Sequence, residues 1–115
     1  MQRGEVWSVT LPIPKGGREQ AGHRPCVVLQ DASYGRSSPL VLMAPMTSQL
    51  AALRFPAAVR IEPSAGNGLR APSVAMVFQL RALDRTRFTR LLGKLDDADL
   101  EAVLVALRSL TGLSS

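Results

Sequence analysis

Two short stretches carry the side chains that could do chemistry. The first, EQAGHRPCVVLQ over residues 19–30, sets Glu19, His23, Arg24 and Cys26 at the start of an apolar run. The second, APMTSQ over residues 44–49, ends an apolar run abruptly at Thr47, Ser48 and Gln49. A guanidinium does not give up its charge in a protein, and burying it without a partner is costly. Arg24 is therefore either neutralised by Glu19 as a structural ion pair or kept to bind an anion. The hydroxyls and amide of residues 47–49 suit a cleft that presents neutral donors, or they simply end a strand and cap a turn. His23 has the intrinsic pKa of a general base, yet a single histidine in a polar loop is as readily a surface residue. Cys26 reads most simply as a small buried hydrophobe.

Other chemistries find little footing. There is no glycine-rich dinucleotide motif, no P-loop and no HExxH. Serines accompany His23, but no GxSxG nucleophile elbow supports a serine hydrolase. One cysteine excludes an intramolecular disulfide, and one cysteine with one histidine argues against a first-row metal centre.

The elements that must position these residues follow from patterning. Residues 4–11 alternate as a strand, and residues 12–23 (PIPKGGREQAGH) form a long polar loop of the kind that is often functional. Pro25 opens a second strand, residues 31–38 connect, and residues 40–46 make a buried third. Residues 54–61 alternate again, 62–72 hold turn residues, and 73–80 resume a β pattern. Residues 84–92 read as a short helix capped by Asp84. The clearest helix is the last, with Leu100, Val103, Leu104, Leu107 and Leu110 on one stripe. Asp96, Asp97 and Asp99 complement its positive end, Arg108 its negative end, and Gly112 closes it. Short strands followed by a terminal helix predict a mainly β fold, a small SH3-like or OB-type barrel covered by that helix.

Size and charge bound the rest. The 115 residues predict a single domain spanning residues 1–115. No apolar run approaches the roughly 20 residues needed to span a bilayer, and no secretory-type leader opens the chain, so a cytoplasmic location is expected. Twelve of the fourteen cations are arginine, and the net charge is +5. Residues 1–95 carry thirteen basic and five acidic groups, whereas residues 96–115 carry one and four. A basic body of this kind points to a polyanion such as nucleic acid, or to a solvated arginine-rich surface. Aromatic residues are only 4% of the chain, so stacking platforms of the RNA-recognition-motif type are not expected.

Read in order, these segments resemble the MazF/PemK family of toxin endoribonucleases over nearly the whole chain. Arg3-Gly4-Glu5-Val6-Trp7 is similar to the family's opening strand, and Glu19-Gln20-Ala21-Gly22-His23-Arg24-Pro25 to its loop-to-strand signature. Ala44-Pro45-Met46-Thr47-Ser48-Gln49 resembles the strand end that bears its threonine. Ser73-Val74-Ala75 and Gln79-Leu80-Arg81-Ala82-Leu83-Asp84 resemble its late strand. The resemblance implies a homodimeric SH3-like barrel that cuts single-stranded RNA at a short sequence without metal or other cofactor. It implies Arg24 and Thr47 as the catalytic pair, and Glu19, Gln20, His23, Ser48, Gln49, Gln79 and Arg81 around the substrate. It also implies an acidic, partly disordered MazE-like antitoxin as cognate partner. One position departs: Phe78 stands where the family usually carries an acidic residue.

Two other classes compete with this expectation. A CcdB-like toxin shares the barrel but binds DNA gyrase through C-terminal aromatic and polar residues, whereas this chain ends Leu113-Ser114-Ser115. A catalytically silent RNA-binding barrel would bind with strong salt dependence and leave the RNA intact.

Overall fold

The computed structural model describes residues 1–11, 23–35 and 37–113. Among these residues seven strands and one α-helix follow one another: β1 (Glu5–Thr10), β2 (His23–Val28), β3 (Leu40–Thr47), β4 (Ala58–Ile61), β5 (Ser73–Met76), β6 (Arg81–Asp84), β7 (Phe88–Lys94) and α1 (Asp97–Thr111). All the strand pairings are antiparallel. The ladder runs β4-β5-β3-β2-β1-β7, with β6 also pairing β3. The expected mainly β, barrel-like fold with a C-terminal helix is therefore present, but the ladder is open between β4 and β7 rather than closed.

The eight-residue β3 is the spine. Val28, Val27 and Cys26 of β2 pair Met43, Ala44 and Pro45. β6 pairs Leu40 to Met43 and β5 pairs Met46 and Thr47. Because successive strand residues face opposite sides, β2 and β3 feed two apolar clusters. Val6, Val27, Leu29, Ala44, Met46 and Ile61 fill one, and Leu100, Ala106 and Leu107 of α1 pack against it around the buried Val103. Val9, Cys26, Val28, Val41, Met43, Leu83 and Phe88 fill the other. There Trp7 meets Phe88 edge to face, with ring centroids 6.3 Å apart.

The helix boundaries follow the sequence signals. The Asp96 carboxylate accepts the Asp99 N–H at 2.8 Å, and Gly112 ends the helix in the left-handed region at φ 75°. No described helix is long and apolar enough to cross a membrane.

Four element readings need correction. β2 starts at His23, two residues before Pro25, so Arg24 lies within a strand. The alternation over residues 54–61 yields only β4; a 3-10 turn occupies Leu50–Arg54, and Ala57 turns to φ 57°, which breaks an extended run. The β pattern of residues 73–80 stops at Met76 and gives way to a 3-10 turn over Val77–Gln79. Asp84 does cap a turn, its carboxylate accepting the Thr86 N–H at 2.9 Å, but that turn is three residues long. The segment then extends as β7, because pairing with β1 outweighs local helix preference.

Candidate active site

Arg24 and Thr47 come together through the β2–β3 register. Cys26 stands opposite Pro45; continuing two residues sets Arg24 level with Thr47. Neither Pro25 nor Pro45 has an N–H to donate, so the ladder gives out just where the two side chains stand. Arg24 shares its strand face with Cys26 and Val28, and Thr47 shares its own with Val41 and Met43. Both therefore sit at the same end of the second cluster. A cavity of about 160 Å³ lies there, lined by Arg24, Pro25, Met46, Thr47, Ser48 and Gln49.

The donors are prepared for an anion. Thr47 is nearly buried, and its Oγ1 accepts the Gln49 N–H at 3.1 Å. That bond uses a hydroxyl lone pair and leaves the O–H to donate elsewhere. Arg24 is half-buried and supplies a planar fork of N–H donors. A cation and a neutral hydroxyl facing one small polar cavity can hold two oxygens of a tetrahedral or phosphoryl centre. Cys26, two residues from Arg24, is unsuited to act as nucleophile: burial pushes its thiol up to about 12.

Adjacent residues of a strand face opposite ways, and His23 accordingly leaves Arg24's cavity. Its Nδ1 lies 3.3 Å from Thr10 Oγ1 and 3.4 Å from Thr89 Oγ1. It lines a neighbouring cavity of about 490 Å³, together with Ser8, Arg70, Ser73 and Arg90. Ser48 and Gln49 join Arg24 and Thr47, whereas Gln79 and Arg81 are exposed and line neither cavity. Glu19 and Gln20 lie outside the described residues. Phe78 packs its ring on Phe55, with centroids 5.0 Å apart, and the Arg54 guanidinium sits 4.8 Å above Phe55. An apolar side chain at position 78 thus has an apolar partner. Among the described residues, no three His, Cys, Asp or Glu side chains converge as a metal site would need.

Arg70 and Arg90 were missed from the sequence. Arg70 sits in a stretch readable only as turn, and Arg90 in the segment read as helix, where Phe88, Leu91 and Leu92 fall at helical spacing, so no local signal marked either. The bend that carries Arg70 is fixed by buried Asn67. Its side chain donates to the Glu62 carbonyl at 2.9 Å and accepts from the Ser64 and Leu69 N–H groups at 3.1 and 3.0 Å. Gly68, at φ 71°, passes so close to the Leu92 carbonyl that a Cβ would collide with it.

Comparison with known proteins identifies the family. Residues 2–111 match the family of PemK-like, MazF-like toxins of type II toxin–antitoxin systems. The chain is 34% identical over 113 residues to the endoribonuclease MazF of Staphylococcus saprophyticus, a match spanning 98% of this chain and 92% of that one. It is 33% identical over 108 residues to the endoribonuclease EndoA of Bacillus subtilis, spanning 94% and 91%. Among solved structures, a MazE–MazF crystal structure from Deinococcus radiodurans superposes with a TM-score of 0.76 at 30% identity, covering 99% of this chain and 97% of that one. The chain belongs to the PemK-like, MazF-like toxin family of type II toxin–antitoxin systems.

Proposed function

We propose that this protein is an endoribonuclease toxin that cuts single-stranded RNA at a short sequence and so arrests translation. The observation that carries the reading is the single cavity shared by Arg24 and Thr47 at the end of the β2–β3 ladder. Family membership and two relatives named as endoribonucleases support it. RNA brings its own nucleophile. The 2′-oxygen bonds to phosphorus as the bond from phosphorus to the 5′-oxygen breaks; the 2′ proton leaves and the 5′-oxygen gains one. The products are a 2′,3′-cyclic phosphate and a 5′-OH, and no metal is required.

Arg24 stabilises the charge that develops on the phosphorane oxygens, and Thr47 donates beside it. A guanidinium is too weak an acid to act as the base, so Arg24's role is electrostatic. As a type II toxin it would work in the cytoplasm as a homodimer, held in check by an acidic MazE-like antitoxin. Gln79, Arg81, Glu19 and Gln20 are assigned to substrate contacts on the family resemblance alone.

The test is cleavage of a long RNA in EDTA, with the 5′-OH ends sequenced. Wild type cuts at defined sites, Arg24→Ala loses at least about 100-fold in kcat while keeping its fold, and Thr47→Val falls further than Thr47→Ser. Cutting of a substrate carrying a 2′-deoxy sugar at the scissile position would overturn the mechanism.

A further inference from the structure

The larger cavity joins the smaller one. Pro25 and Ser48 line both, so a chain passing the Arg24–Thr47 pair can run directly into the space beneath Arg70 and Arg90. That space is built for an anion. Two arginines, His23 and the hydroxyls of Ser8, Ser48 and Ser73 line it, and among the described residues no carboxylate does. Among the described residues neither arginine is in an ion pair; the pairs formed are Arg60–Glu62 and Arg108–Glu101. Their positions are set by rigid features. Arg90 is registered opposite Ser8 in the β1–β7 ladder, and Arg70 follows the bend fixed by Asn67.

We propose that Arg70 and Arg90 form a second phosphate subsite, which holds a backbone phosphate of the same RNA strand next to the one being cut. The proposal rests on the endoribonuclease reading and extends it. The occupant is an RNA phosphate because the cavity adjoins the candidate active site, and because its lining offers two arginines, an imidazole and serine hydroxyls, the donors that phosphate oxygens take. Arg70 and Arg90 are positioning residues: they fix the register of the strand over Arg24 and Thr47, and the bond-breaking step does not involve them. A phosphate gripped there is held equally before and during the bond change, so the gain falls on substrate binding.

The experiment compares wild type, the Arg70→Ala/Arg90→Ala double variant and the Arg70→Lys/Arg90→Lys double variant on an RNA with a mapped cut site. Both side chains are exposed, and the lysine pair controls for folding. The alanine pair should raise KM about tenfold and leave kcat within about twofold, with the lysine pair recovering most of the loss. Single phosphates flanking the cut are then replaced, one at a time, by neutral methylphosphonates. One such replacement should weaken wild type about as much as the alanine pair does, and should weaken the alanine pair no further. An unchanged KM, or an equal methylphosphonate penalty in both proteins, overturns the subsite. Binding of the same RNA with a 2′-deoxy scissile sugar is measured in parallel. If wild type binds that RNA but cuts none of its all-ribose counterpart, the nuclease reading fails while the binding comparison still decides the subsite.

Discussion

Arg24 and Cys26 stand two residues apart on one face of one strand, yet the fold gives them opposite environments. Arg24 sits half-buried where two prolines end the ladder and a polar cavity opens. Cys26 lies fully inside the second cluster, and removing it from water raises its thiol from 9.0 to about 12. The sign of the consequence is definite. Between pH 9 and 12 the unfolded chain has lost the thiol proton and the folded chain retains it. The native state therefore binds more protons, and stability falls as pH rises through that window, by at most about 1.4 kcal/mol per pH unit. Two measurements check this. The native protein should not react with a thiol reagent at neutral pH and should react fully once unfolded. Cys26→Ala should keep its RNA cleavage while losing part of the alkaline decline in stability. Rapid labelling of the native protein at pH 7 would show that the thiol is accessible and the burial wrong.

At the scale of elements, the proposed Arg70–Arg90 subsite depends on a bend that does not line the Arg24–Thr47 cavity. Asn67 is buried with its amide satisfied by the Glu62 carbonyl and by the Ser64 and Leu69 N–H groups, which fixes the shape of the 62–69 segment, while the Lys94 N–H of β7 donates to the Gly66 carbonyl. Asn67→Ala strands those backbone groups and should cost about 1–3 kcal/mol in urea unfolding. A loss below about 0.5 kcal/mol would mean that water replaces the side chain without penalty. This bend also shows where legibility stops. Residues 62–72 were recognisable as turn from their Gly, Pro and Asn content, but nothing local says that the turn lies on β7 and brings Arg70 to Arg90. β1, β2, β3 and α1 were legible because their apolar periodicity and the Asp96 and Gly112 caps are local signals. Thr47 stood out in the sequence as a hydroxyl ending an apolar strand, but its partnership with Arg24 was reachable only by resemblance, since it comes from a register set across two strands. The 84–92 segment failed for a related reason: a capping aspartate starts a helix and a 3-10 turn alike, and only pairing with β1 distinguishes them.

Among the described residues, the acidic start of α1 and the arginines of the two cavities belong to separate parts of the fold. The acidic groups of residues 96–101 gather at the start of α1, which packs on the first cluster. Arg24, Arg70 and Arg90 line the two joined cavities between β2, β7 and the 66–73 segment. Under the proposed function a polyanion would be drawn to the cavities and repelled from the helix start. Recognition of this kind releases counterions, with a log–log salt slope of about −0.7 for each single-strand phosphate neutralised. Three or four phosphates, including those at Arg24 and at the Arg70–Arg90 pair, would give a slope of roughly −2 to −3. The measurement is kcat/KM on a short RNA from about 50 to 200 mM salt, repeated with a neutral osmolyte at matched osmolality. Rates should fall along that slope with salt and hold steady with the osmolyte. A flat salt profile would mean that uncharged contacts carry the affinity, and the arginine-rich body would then be ordinary solvated surface.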